Sequence, residues 1–595
     1  MEENKKIKKG SKKIDDDDEF EDFVDEDDDF DEADFADEDE DDEFGEDDED
    51  FDDEDEKPKK KGKAKKGKNG SKASKKRSDT PKLTKGKQKA KEDVPLTDAR
   101  LTGDIEHSNR KMRETEEMQD TAPESQVDPS LLKPSIEGKT GDYKSVDVTS
   151  VEEAKFDPNK DAPWTKGQKA PFFFVSSAFE MIAQISGAAS ADKKKKIMAN
   201  IFKAFQWLSP DEVANLYLFS TGRLDAEYIQ EDLGVGKEIL MRAAIFITKK
   251  TKEALQKEMK EKGELGEILE DFKGTKGHFN NQKRLTFEYV FSEIRRLTKV
   301  SGQTEKEGII RNLIYDATGV EIKYIFRFLN GGHFKMACGK TAIQACLAKA
   351  IYEFFKKGGT DGKEIVSDSN ELKDWEKALH RCNDQYPNYR FIVKAMQESK
   401  GDPGYLNKHC KLTAGIPCKP MLAKPMKNIH MIFNRFEGKP FTCEYKYDGL
   451  RGQIHYNNGD IQIYSRNLEN MTHQYPDVIK NIREGIKPET RNIIIDSEIV
   501  ATDQKNGRVL PFQVLAGRKK KGVTLDNIQQ PVCVYLFDCL YFNDENLLEK
   551  TLAKRRESLR AAFTPLPAKI SFVVSKEAED FDAIQGFLDE SVLSK

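Results

Sequence analysis

The sequence predicts a multidomain chain: a disordered, charged N-terminal tail, an all-α domain, and an α+β domain at the C-terminal end. Three observations carry that prediction. Like charges are segregated into blocks near the N-terminus, apolar residues recur at helical spacing between about 165 and 410, and short β-rich runs begin at Phe441.

The tail comes first. From Asp15 to Glu56 there is no Lys or Arg, and from Lys57 to Lys91 the sign reverses. Such blocks hold too few aliphatic residues to offset the entropy of ordering a chain. The boundaries expected are therefore 1–162 for the tail and linker, 163–415 for the all-α domain and 416–595 for the α+β domain. The net charge of -9 is set by the acidic tract. The remainder is basic, which fits a polyanionic partner or plain solubility. The basic segment 57–66 reads as a nuclear import signal or as a solvated linker. The six Phe spaced through the acidic tract are a candidate docking segment for a basic partner, and the charged tail as a whole a candidate binder of nuclear proteins.

Eight Cys are scattered without a C-x-x-C pair. A reducing compartment and no zinc site are expected. No apolar stretch has membrane-spanning length and no signal-peptide core is present, so a soluble intracellular protein without a membrane partner is expected.

In the second region, apolar periodicity predicts helices over Phe172–Ile185, Glu238–Lys249, Phe287–Leu297 and Thr341–Phe355. Ser209-Pro210-Asp211-Glu212 has the form of a capping box with Pro at the first helical position. In the third region, strands are predicted at Phe441–Tyr445, Gln453–Tyr456, Ile461–Ser465, Ile493–Val500 and Val532–Asp538. Asn457-Asn458-Gly459-Asp460 is the hairpin turn between the second and third. The expected sheet is antiparallel with flanking helices.

The chemistry centres on Glu444-Tyr445-Lys446-Tyr447-Asp448-Gly449-Leu450-Arg451. Glu444 and Lys446 sit two apart on a strand and so share one face. A lysine that attacks phosphorus must be neutral, whereas the ordinary side chain is charged at pH 7. Partial burial and a nearby cation, Arg451 or a metal, favour the neutral form. A solvated surface hairpin explains the same residues equally well. Three downstream segments shift the balance. Ser465-Arg466-Asn467 brings a second Arg to the hairpin. Asp496 and Glu498 place two carboxylates on one face of an apolar strand, where they need a partner or a metal. Tyr535-Leu536-Phe537-Asp538 carries Phe537, a base-stacking candidate that core filling also explains.

In this order the segments resemble the nucleotidyltransferase motifs of eukaryotic ATP-dependent DNA ligases. Segments 415–423 and 510–515 resemble that family too, and the helical region, with Leu233-Gly234-Val235-Gly236, resembles its DNA-binding domain. The resemblance runs from about 165 to the end. It implies an all-α DNA-binding domain followed by an adenylation domain, with ATP and Mg²⁺ as cofactors and nicked double-stranded DNA as substrate. Lys446 would take AMP from ATP and pass it to the 5′-phosphate of a nick. Glu444 and Phe537 would contact adenine, Arg451 and Arg466 phosphates, and Glu498 a Mg²⁺ or the ribose. DNA contacts would come from His333, Phe334, Lys335, Met336, Ala337, Cys338, Gly339, Lys340, Thr341 and Ala342, and from Lys519, Lys520 and Lys521.

Two departures stand out within 333–342, because the family prefers Arg at Lys335 and Gly at Ala337. No clamp-docking motif is recognised in the tail. The sequence given also stops at Lys595, before the family's second metal-binding Glu, its later ATP-binding lysines and its OB-fold. On that reading the adenylation domain is incomplete, the OB-fold is absent and the site is weak. A nuclear, monomeric ligase for replication, repair and recombination is expected. The alternatives are an inactive protein that binds nicks, or an RNA-capping guanylyltransferase, which shares K-x-D-G but not the helical region.

Overall fold

The computed structural model describes residues 139–143, 147–187, 190–229, 231–275, 283–356, 370–426, 429–437, 439–578 and 581–593. The charged tail, its import signal and its docking segment lie outside the described residues.

Helices dominate up to His409, and the predicted ones are found within a residue or two of their expected ends. Helix α1 (Phe172–Gln184) opens with Phe172-Phe173-Phe174-Val175, all buried. Four consecutive apolar residues cannot all face one side of a surface helix, so α1 lies inside the domain. Around it Phe179, Phe219, Phe328 and Phe334 form an aromatic core. Phe219 and Phe328 stack at 5.0 Å, and Phe334 meets Phe179 at 5.4 Å and Phe219 at 5.2 Å.

Three expectations need correction. The helical domain begins before 163, since Val148, Val151 and Phe156 are buried in its core. Asn200 donates to the carbonyls of Val151 and Glu153 at 2.9 and 3.0 Å, tying that segment down. Sparse apolar residues among Asp, Glu and Lys give no periodic signal, so 147–162 reads as linker. The domain is also not purely helical, because β1 (Thr140–Asp142) pairs antiparallel with β2 (Lys283–Leu285). Finally, Ser209 caps nothing. Its hydroxyl accepts from the Trp164 indole at 3.0 Å, and Pro210–Glu212 is a 3-10 turn leading into helix Val213–Ser220.

The C-terminal region is built on a mixed sheet. Its main path runs β10 (Ile570–Phe572), β8 (Val532–Phe542), β6 (Asn492–Asp503), β4 (Leu450–Asn457), β5 (Asp460–Tyr464). Short strands β7 (Arg508–Val509) and β9 (Glu545–Asn546) pair with β6 and β8. All pairings are antiparallel except β8 with β10, which is parallel. The β4–β5 hairpin turns at Asn458 and Gly459, both at positive φ (48° and 99°), the conformation that Asn-Gly favours. β3 (Phe441–Glu444) does not join this sheet; it pairs with β11 (Ser575–Ala578) in a second, two-stranded one. The chain therefore changes sheets between Glu444 and Leu450, and the segment that does so contains Lys446.

The link from the helical region is bolted to the outer face of β4 and β5. Gln453 and Cys418 exchange two hydrogen bonds, at 2.9 and 3.0 Å, and Gly415 N–H donates to His455 Nδ1 at 3.0 Å. The Tyr464 hydroxyl donates to the Gly415 carbonyl at 2.7 Å, while its ring meets Tyr228 of the helical domain.

Candidate nucleotide and DNA site

Lys446 stands exposed on the 445–449 crossover, outside both flanking strands. This corrects the expectation of a strand residue, partly buried, sharing a face with Glu444. The β3–β11 ladder closes at the pair Glu444↔Ser575, one residue before the crossover. The crossover is held on several sides. Tyr447 stacks on Tyr535 of β8 at 3.8 Å, Tyr445 packs against Phe587 of the C-terminal helix Phe581–Leu593 at 5.1 Å, and Tyr445 N–H bonds to Val574 O at 3.0 Å.

Gly449 explains why the motif needs glycine. A Cβ there would lie 2.5 Å from Ile499 O and 3.0 Å from Glu498 Cγ. Its absence lets the crossover lie against β6 and brings the Gly449 amide to Glu498. Burial pushes the Glu498 carboxyl up to about 7; Lys446, Arg451 and the Gly449 amide pull it down, and Asp448 pushes it up. Lys446, Asp448 and Arg451 thus all act on one half-buried carboxylate.

Asp496, on the same face of β6, is taken by Arg451, with Nη2 donating to Oδ2 at 2.8 Å. Burial raises the Asp496 carboxyl while Arg451 opposes the shift. The guanidinium also donates to Met421 O at 3.2 Å and lies 5.6 Å from the Phe537 ring centroid. Phe537 is thus brought to the site, at a bulge where β8 slips against β6 between the pairs Asp496↔Asp538 and Ser497↔Leu536. Arg466 is exposed in the turn after β5, two positions beyond the last β4–β5 pair, Gln453↔Tyr464.

The two DNA-facing candidates are loops with buried anchors. Residues 330–339 join helix α2 (Gly319–Leu329) to helix α3 (Lys340–Lys356), and side chains from 333 to 337 alternate. His333, Lys335 and Ala337 are exposed, whereas Phe334 and Met336 are buried. This corrects the surface role given to the latter two, which anchor the loop. Buried Arg327 donates to Phe334 O at 3.0 Å. Lys335 and Ala337 sit at φ 56° and 47°, a region costly for side-chain-bearing residues. Lys335 pairs with Glu264 at 3.3 Å and Lys340 pairs with Glu227. Lys519, Lys520 and Lys521 are exposed on the second loop. Its anchor is Arg518, buried in a two-pronged pair with Asp477 at 2.6 and 2.9 Å, with Tyr475 beneath it at 4.8 Å.

Two family models match this architecture region by region. The DNA ligase N terminus model matches residues 171–348, and the ATP dependent DNA ligase domain model matches 420–595. The chain belongs to the ATP-dependent DNA ligases. DNA ligase 1 of Arabidopsis thaliana is 33% identical over 73% of this chain and 55% of its own length. DNA ligase 1 of Saccharomyces cerevisiae is 32% identical over 83% and 65%, and that of Dictyostelium discoideum 31% over 78% and 39%. The chain therefore spans between about two fifths and two thirds of these relatives. The match at 171–348 favours a ligase over a capping enzyme.

Against the ligase motifs, the structure adds one group that the sequence reading missed. Arg556, on helix α4 (Leu552–Ala562), is buried and forms an ion pair with Glu444. The partners are 112 residues apart, so no local pattern could join them. The Arg555-Arg556 doublet beyond the Phe537 strand was the available signal.

Proposed function

We propose that this chain is an ATP-dependent DNA ligase, or the larger part of one, acting on nicked duplex DNA through AMP carried on Lys446. The observation that carries the reading is the Gly449 contact, which seats the Lys446 crossover against Glu498. The Lys446 amine attacks the α-phosphorus of ATP; the N–P bond forms as the P–O bond to pyrophosphate breaks. AMP then moves to the 5′-phosphate of the nick, and the 3′-hydroxyl displaces it. Arg451 and Arg466 hold phosphates, Glu444 and Phe537 face adenine, and the loops at 333–342 and 519–521 meet the DNA backbone. Charge spreads over phosphate oxygens in each step, so positioned cations contribute most.

Half-buried Glu498, with exposed Asp448 beside it, offers the hard oxygen donors that a divalent cation takes. Mg²⁺ commonly takes one or two carboxylates together with substrate phosphates, and Asp448 is the second carboxylate here. When bound, it would neutralise charge on the phosphates. Nuclear placement rests on the basic segment 57–66.

The test is incubation of the purified chain with α-labelled ATP and Mg²⁺, followed by a denaturing gel. A covalent band is expected, lost in Lys446→Ala while nicked-DNA binding stays. Equal labelling of the variant overturns the assignment of Lys446. No band with intact nick binding points to a protein that binds nicks without sealing them.

A further inference from the structure

We propose that Arg556 is a positioning residue that fixes Glu444 and Phe537 together and so sets a preference for 6-aminopurine nucleotides. The inference rests on the reading that these two residues face the base. The Arg556 side chain is 9% exposed, and its guanidinium bridges the small sheet and the large one. Nη2 donates to Oε2 of Glu444, at the end of β3 in the small sheet. Nε donates to the Phe537 carbonyl at 3.2 Å, at the bulge of β8 in the large sheet. The preceding residue, Arg555, grips the other side of the bulge, its Nε and Nη2 on the two Asp538 oxygens at 2.7 and 2.9 Å. One turn of α4 therefore fixes where the Phe537 ring stands and where the Glu444 carboxylate points. Arg556 and Phe537 also line the same surface depression, with Leu536, Leu559, Phe572 and Val573.

An ionised carboxylate only accepts hydrogen bonds. Held in place, it can take one from the exocyclic amine of a 6-aminopurine, whereas a 6-oxopurine would set a carbonyl oxygen against it. Glu444 keeps 41% of its side-chain surface exposed beside its Arg556 contact, leaving room for a base. Freed of Arg556, Glu444 could swing away and the distinction would fade. A planar fork that spans two acceptors is an arginine property; lysine reaches both only as a point charge.

The experiment uses the whole chain carrying Lys446→Ala, so that no covalent step intervenes. ATP and inosine triphosphate are titrated calorimetrically into this background, then into the same background with Arg556→Leu, Arg556→Lys or Glu444→Gln. The ratio of ATP to inosine triphosphate affinity should fall by about tenfold in Arg556→Leu, the scale of one hydrogen bond to a charged group, and by less in Arg556→Lys. Adding Glu444→Gln to Arg556→Leu should lower the ratio no further, because the two residues act as a unit. An unchanged ratio in Arg556→Leu overturns the proposal, as does a full extra loss in the double variant. If Arg556→Leu does not fold, an Arg556→Lys ratio equal to the parent's overturns it, and so does the absence of ATP binding. Failure of the adenylylation reading looks different: the expected ratios appear, yet the chain with Lys446 intact takes no label.

Discussion

A methyl group on Gly449 would sit 2.5 Å from the Ile499 carbonyl oxygen, closer than carbon approaches backbone in folded proteins. Because the obstacle is backbone in the centre of a sheet, the crossover must give way and not β6. Gly449→Ala should therefore cost about 1–3 kcal/mol, the usual range for overpacking, and push the Lys446 crossover away from β6. A lowered melting temperature with loss of AMP labelling is the expected pair of results; normal labelling would show that the close approach is unnecessary. The same residues mark how far sequence reading reaches at this scale. The spacing of Lys446, Asp448, Gly449 and Arg451 was legible, and so were the two carboxylates of β6, since both patterns are local. That Arg451 donates to Asp496, and not to Glu498 directly opposite it, rests on the β4–β6 register, which pairs Arg451 with Glu498 and Gln453 with Asp496. No local rule gives a register between strands this far apart.

Among the elements, the 519–521 loop shows how burial at one residue prepares its neighbours. Arg518 spends its guanidinium on Asp477, Gln530 O and Gln474 O, so the base of the loop is fixed while three lysines remain exposed. Each lysine that meets a phosphate releases counterions and steepens the salt dependence of binding by about 0.9. Replacing all three by Ala should weaken nicked-duplex binding and flatten the log–log salt slope by between about one and three. Affinities measured across a salt series, with an intact duplex beside the nicked one, would read this directly. A slope identical to the parent's would remove the loop from the DNA interface. Long amphipathic helices were legible because tertiary packing follows their stripe. The pairing of β1 with β2 was not, as three-residue strands carry no period, and Ser209 was misread because its hydroxyl serves Trp164 instead of a helix end.

At the scale of the whole molecule, the helical region and the sheet meet at the 414–420 link, and His455 is one of the residues that hold that joint. The imidazole is 1% exposed, and burial alone holds it down at about 3. Gly415 N–H donates to Nδ1, so the hydrogen must sit on Nε2, which then donates to Gln453 Oε1 at 2.9 Å. The same Gln453 oxygen receives Cys418 N–H. Protonating Nδ1 would face one donor with another and break the link at Gly415. In the unfolded chain this histidine titrates near the ordinary value of 6.5, so between about 6.5 and 3 the unfolded chain binds a proton that the fold refuses. Its contribution to stability is therefore present above about 6.5 and lost as pH falls, by at most about 1.4 kcal/mol per unit. Glu212 and Glu498, raised by burial to about 7, act in the opposite sense over part of the same range, favouring the fold as pH drops. A pH profile of the parent alone would mix these effects, whereas comparison with His455→Gln isolates the histidine. The variant should be less stable than the parent at pH 7, where it forfeits the Gly415 bond. That deficit should shrink by about 2 kcal/mol on going to pH 5, because only the parent carries the proton penalty. Urea midpoints at the two pH values supply the measurement. A deficit that stays constant would mean His455 takes up its proton without disturbing the joint, and the link would have to be held by Tyr464 and Gln453 instead.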